Sequence, residues 1–331
     1  MDLDAYVAEH AGEWRRLEQL SRRRKLSAPE VDELLALYQR TATHLSVIRS
    51  RSPDPALVAQ LSRIVLAGRS AITGGPSFSW RGVLRFATTS FPLEVYRARR
   101  WWIGVGVAFV GLTAAIIGYM VANPAVERAF FSPEKIDEIV NSDFAGYYTE
   151  FQAQNFAFLV WTHNAFISAL CLAAGVLIVP TLYMLAGNVL NVGLTGGVMV
   201  AHGRSDVFFG LILPHGMLEL TTLFVASGVG LRIGWAWIAP GPDRTRGRAL
   251  AEAVRSAMVV ALGLVGPLAV SGFIEAFVTP SGWPTVLRIG VGFVAWVAFL
   301  AYTLGLGSRA AHAGESADVD EALRGAEVPA V

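Results

Sequence analysis

Cysteine is nearly absent from this 331-residue sequence: Cys171 stands alone inside an apolar run, so no intrachain disulfide, CxxC redox pair or thiolate zinc site can be built. Charge is also scarce, at 16% Asp, Glu, Lys and Arg against 53% hydrophobic residues. With a mean hydropathy of +0.47, that balance excludes an ordinary soluble chain and reads as a membrane protein. The first 25 residues lack the apolar core and cleavage site of a secretory signal, and neither end carries a lipidation motif, so the apolar segments themselves are expected to direct insertion. No HExxH, GxSxG or glycine-rich phosphate loop occurs.

What charge there is lies unevenly. Residues 1–100 hold 16 of the 27 Lys and Arg but only 10 of the 26 Asp and Glu. A basic, polar head therefore precedes a greasy body. Helical periodicity runs through the head: Val31, Leu34, Leu35, Tyr38, Ala42, Leu45 and Ile48 keep three-and-four spacing. Ser27-Ala-Pro-Glu30 matches a capping box with proline in the first turn. Flanking helices are expected from about Leu3 to Arg24 and from Asp54-Pro55 onward, giving a three-helix bundle over residues 1–75. Gly74-Gly75-Pro76 breaks the chain, and Phe78–Thr89, with Arg81 and Arg85 among aromatic and aliphatic residues, reads as an amphipathic interfacial linker over 76–100. The run Arg22-Arg23-Arg24-Lys25 is short and lacks aromatic interleaving, so it fits a cytoplasmic face near anionic lipid and predicts no nucleic-acid binding.

Beyond residue 100, six apolar stretches are expected to cross a membrane: Trp101–Ala122, Phe156–Val179, Thr181–Ala201, Val207–Ile238, Met258–Thr279 and Leu287–Gly307. The predicted class is all-α and polytopic, with a transmembrane body over 101–307 and a disordered, acidic cytoplasmic tail over 308–331. Arg97, Arg99 and Arg100 before the first span, and Arg244, Arg246, Arg248 and Arg255 after the fourth, place the N-terminus in the cytoplasm, and six spans put both termini on that side. Pro214 and Gly216 predict a helix break, with 207–213 re-entrant or interfacial.

Polar residues inside apolar helices are costly unless they find partners, so Asn164, Asn188, Asn191, His215, Glu219 and Glu275 are expected to gather in an intramembrane polar cluster open to the outside. His215 and Glu219, four residues apart, share a helix face and are expected to pair. Three readings stay open for them: a structural tie between helices, a transport or lipid-export cavity, and an acid/base or metal site. Catalytic zinc needs three protein ligands, and the other body histidines are only His163 and His202. No catalytic residue, cofactor or metal is therefore expected. Glycines such as Gly193, Gly196, Gly197, Gly228, Gly230 and Gly234 permit close helix packing, within one chain or across a homodimer.

Phe156-x(7)-Asn164-Ala165-Phe166, Asn188-x-x-Asn191-x-Gly193, and above all Leu213-Pro214-His215-Gly216-x-x-Glu219-Leu220 with the later Gly228-x-Gly230-Leu231-Arg232-x-Gly234, resemble the integral membrane family of stage II sporulation protein M across about residues 90–307. One departure is that His163 stands where the family commonly has the first of two paired asparagines. The resemblance implies a multi-span, non-enzymatic protein of the bacterial cytoplasmic membrane that serves as a scaffold or assembly factor. Its partners would be membrane lipid and other proteins, among them cell-wall hydrolases or a MoxR-type AAA ATPase system, docked on the cytoplasmic head.

Charge and span count together predict that residues 123–155 and 202–206 face outward and residues 240–256 face the cytoplasm. Single cysteines placed there in a Cys171→Ser background should be labelled from outside intact cells only in the first two segments. Labelling of the Arg244 loop from outside would overturn the six-span topology.

Overall fold

The computed structural model describes residues 3–23, 26–51, 54–73, 80–143 and 153–317. They are helical almost throughout, without a strand among them, and divide into two compact units that meet at Trp80 and Arg81.

The first unit comprises α1 (Leu3–Ser21), α2 (Ala28–Arg51) and α3 (Pro55–Thr73). Glu30 reaches back to the Ser27 amide at 2.9 Å, one half of the capping box, and Asp54 caps α3 by accepting from the Leu57 amide at 2.8 Å. Trp14, Leu17, Leu20, Leu34, Leu37, Leu45, Ile48, Leu61 and Ile64 form its own core. The buried face of α2 is rotated from the expected one: Leu37 and Thr41 are inside, whereas Val31 and Leu35 are 49% and 43% exposed. The seven expected residues, at mixed spacing, span two adjacent faces, and packing on α1 and α3 chose between them. Bidentate Arg16–Glu33 at 2.8 Å and Arg40–Glu13 at 2.8 Å fasten α1 to α2. Arg22 and Arg23, expected to face lipid, pair with Glu18 and Glu30 of the head itself.

The second unit begins with α4 (Trp80–Arg85), a π-helical turn, and α5 (Phe91–Arg97). Only the first part behaves as an exposed linker. Phe91, Leu93, Glu94, Val95 and Ala98 are buried within the unit, because α5 packs against the helices near the C-terminal end. Next come α6 (Arg99–Ala122), the short α7 (Glu127–Phe130) and α8 (Pro133–Glu138), and the long helices α9 (Ala153–Ala174), α10 (Val179–Ala201), α11 (Ser205–Ile238), α12 (Arg246–Phe273) and α13 (Thr285–His312). Helices α6 and α10 to α13 are long and apolar enough to cross a membrane. The sixth expected span corresponds to α9, whose described apolar stretch, Trp161–Leu177, is shorter. Exposed Val107, Leu112, Val286 and Val294 line the outer surface of α6 and α13, as lipid-facing residues do.

Several boundaries differ from expectation. A 3-10 turn and Ile178, at φ 63°, separate α9 from α10, and Thr181 donates to the Cys171 carbonyl at 2.8 Å across this corner. The segment 246–256, expected as loop, is the first three turns of α12, capped by Thr245. The expected break at Pro214 and Gly216 does not occur: α11 is one 34-residue helix. Proline forfeits the bond to the Gly210 carbonyl, yet a neighbouring helix can hold such a site in register. Here Gly292 of α13 lies so close that a Cβ on it would sit 1.9 Å from the Pro214 carbonyl oxygen. Nor is the tail disordered from residue 308: α13 continues to His312, and Arg97 and Arg85 donate to the carbonyls of Glu315 and Ser316, both at 3.2 Å. Residues 318–331, the rest of that expected tail, lie outside the described residues.

Helix α11 is the axis of the body. It packs on α6, α9, α10, α12 and α13, and every residue from Thr221 to Gly230 is buried. On one side, Gly230 faces the Cys171 and Leu172 carbonyls, with room for no side chain between the backbones. Near the opposite end from His215, buried Glu94 of α5 gathers Arg97 at 2.8 Å, Arg232 at 3.8 Å and the Ser256 hydroxyl, binding α5, α11 and α12 together.

The head contains a pH-sensitive contact. Trp14 donates its indole N–H to His44 Nδ1 at 3.2 Å, which requires an unprotonated nitrogen. Burial, and then the adjacent His10 ring, hold His44 below the ordinary imidazole value. The folded head thus binds fewer protons than the unfolded one, so its stability is full above about pH 6.5 and falls as pH drops through that value toward the lower folded one. A fragment of residues 1–80 should unfold at lower urea concentration at about pH 5 than at about pH 7.5, and His44→Gln should shrink the difference. An unchanged difference in that variant would assign the effect elsewhere.

Candidate functional site

The polar groups of the body converge where α11 meets α9, α10 and the end of α12. A cavity of about 270 Å³ is bounded by His163, Asn164 and Ser168 of α9, Asn188 and Asn191 of α10, and Glu219 of α11. The three asparagines named from sequence therefore face one space, together with His163 at the position where the resemblance departs. Asn188 spends one amide proton on the Met184 carbonyl of its own helix at 2.9 Å. Glu219 is only partly buried and forms the inner wall of the cavity.

One turn earlier on α11, His215 is buried and turned toward the π-helical segment Ile274–Val278 that follows α12. Its Nδ1 lies 3.2 Å from the Thr279 hydroxyl oxygen and its Nε2 4.0 Å from Glu275 Oε1. Thr279 commits its proton to the Ile274 carbonyl at 3.2 Å, so its oxygen accepts from His215 Nδ1–H. That assignment leaves the Nε2 lone pair on the Glu275 side. The Ser271 hydroxyl contacts both the His215 carbonyl at 3.2 Å and Glu219 Oε2 at 3.3 Å. Glu275 is 5% exposed, and its buried Oε2 has no hydrogen-bond partner among the described residues.

In place of the expected direct pairing of His215 with Glu219, the His215 ring meets Thr279 and Glu275, and Ser271 links the His215 carbonyl to Glu219. One nitrogen of His215 and one oxygen from each of Glu219 and Glu275 lie within 4.8 Å of one another. Pro214 and Gly216 contribute no broken backbone here; the Pro214 carbonyl packs instead against Gly292 of α13. Sequence reasoning missed Ser271 and Thr279, since a hydroxyl in an apolar helix satisfies itself on a local carbonyl as readily as it serves a distant site. It placed Glu275 in the cluster, but nothing in the spacing showed that a π-helical turn brings that carboxylate to His215. The second histidine weighed as a ligand, His202, lies with Glu127 at 3.0 Å, in a different pairing.

Thr279→Val keeps the volume and removes the acceptor for His215 Nδ1–H. It should cost about 1–3 kcal/mol, and a cycle with His215→Ala should show a coupling of about 0.5–3 kcal/mol in detergent unfolding. Strictly additive losses would reject the orientation assigned to the ring.

Comparison with known proteins agrees with this body. A family model described as Stage II sporulation protein M matches residues 107–280, over half the chain and inclusive of every polar group described above. A second, described as Domain of unknown function (DUF8413), matches residues 4–74, the head. A Methanocaldococcus jannaschii protein, the uncharacterized protein MJ0793, is 25% identical over 153 residues, 46% of this chain and 85% of its own length. No solved structure matches. A polytopic helical body, built around a polar cluster on α11 and covered by that match, makes this chain a membrane protein of the stage II sporulation protein M family.

Proposed function

We propose that this protein is a non-enzymatic scaffold or assembly factor of the bacterial cytoplasmic membrane, with a cytoplasmic head that docks partner proteins. The carrying observation is modular. Residues 4–74 match a family of their own and enclose a hydrophobic core separate from that of the body. Such a module needs nothing from the membrane to fold, so its outer faces are free to serve recognition. Arg16, Arg22 and Arg23 are each paired with a glutamate of the head, which favours protein contacts over nucleic-acid binding. Partners of the kind the family resemblance suggests are cell-wall hydrolases or a MoxR-type ATPase, and membrane lipid surrounds the body. Within the body, the described polar side chains near α11 turn inward to one another, in keeping with a structural tie between helices.

Removing residues 1–75 should leave the body inserted in the membrane fraction and thermally stable, while a hydrolase or ATPase that co-purifies with the full chain in mild detergent should be lost. Retention of the same partner by the headless body would contradict the docking role. Salt-sensitive nanomolar DNA or RNA binding by the full chain would replace it with a nucleic-acid function.

A further inference from the structure

We propose that His215, Glu219 and Glu275 bind one divalent transition-metal cation, reached through the cavity bounded by Asn164, Asn188 and Asn191. The three ligand atoms lie within 4.8 Å of one another, close enough to share an ion after small side-chain rotations. Two independent observations support a cation in this place. Glu275 Oε2 is buried and has no hydrogen-bond donor among the described residues, an arrangement that is expensive for a carboxylate unless a positive charge supplies the missing partner. Thr279 acts as a second sphere: by accepting from Nδ1–H it selects the tautomer in which His215 directs an Nε2 lone pair toward Glu275. Nε2 and Glu275 Oε1 lie 4.0 Å apart, a separation that one ion could bridge after a small side-chain rotation.

The donor set also indicates the class of ion. One imidazole nitrogen with two carboxylates suits zinc, manganese or ferrous iron better than the all-oxygen cages of calcium or magnesium. Two carboxylates and a dication sum to zero charge, the state a low-dielectric helix interior tolerates best. Ser271 donates to Glu219 and so fixes the carboxylate that opens onto the cavity, where water would complete the coordination. Such an ion would pin α11 to the π-helical end of α12, which deepens the structural tie proposed above without requiring catalysis.

Zinc alone is a sufficient probe, because a site of this kind that takes manganese or iron takes zinc more tightly. The head carries a competing group, His10, Glu13 and His44, so the full-length chain is tested in a His10→Gln background. After chelator treatment and dialysis against zinc chloride in detergent, elemental analysis should find about one zinc per chain, with an increase in melting temperature. Adding Glu275→Gln, which preserves size, should weaken zinc binding at least about tenfold. If that variant does not fold, Thr279→Val keeps all three ligands and should weaken zinc about 10- to 100-fold through loss of ring orientation. Absence of zinc from the His10→Gln protein, or undiminished affinity in the folded Glu275 or Thr279 variant, would overturn the site.

Discussion

The body is organised by one helix whose central turns have no exposed side. Between Thr221 and Gly230, α11 is buried on all faces, so each neighbour must come within backbone distance of it. Small residues make that approach possible. Gly230 lets the α9 carbonyls of Cys171 and Leu172 touch the helix, and Gly292 admits the Pro214 carbonyl. In a membrane, where lipid is as apolar as leucine, such close packing and interhelical hydrogen bonds supply the attraction that water would otherwise supply. The same enclosure dictates the fate of His215 and Glu219. Buried His215 is met by Thr279 and Glu275, and Glu219, at the cavity wall, by Ser271.

Both ends of α11 carry charge, and they are handled differently. Toward its C-terminal end, Arg232 joins Glu94, Arg97 and Ser256 in a network that balances a buried acid with two guanidinium groups. Toward its N-terminal end, two acids and a histidine gather, and Arg288 donates to the Thr279 carbonyl beside them.

Much of this architecture was legible in the sequence. Helical class, the head and five of the long apolar helices follow from periodicity and hydropathy, because those signals record the choice between lipid, water and core residue by residue. The residues of the polar cluster were legible for the same reason: Asn164, Asn188, Asn191, His215, Glu219 and Glu275 are conspicuous in apolar runs. What could not be read was which of them meet. Val31 and Leu35 show the difficulty in small: both fit the apolar face of α2, and only the positions of α1 and α3 left them outside. Segment 91–98 is the converse case, a stretch that reads as interfacial but is buried because α13 and α12 cover it.

Local sequence determined that this chain is helical, where its apolar helices run, and which rare polar side chains they carry into the bilayer, because each depends on a few neighbours and on solvent. Tertiary structure alone decided that Pro214 sits in an unbroken helix, that a π-helical turn delivers Glu275 to His215, and that the acidic C-terminal segment is held at Glu315 and Ser316 by Arg85 and Arg97. Each of these outcomes joins residues tens to hundreds of positions apart. Their energies come from packing and charge pairing across helices, which no local pattern encodes.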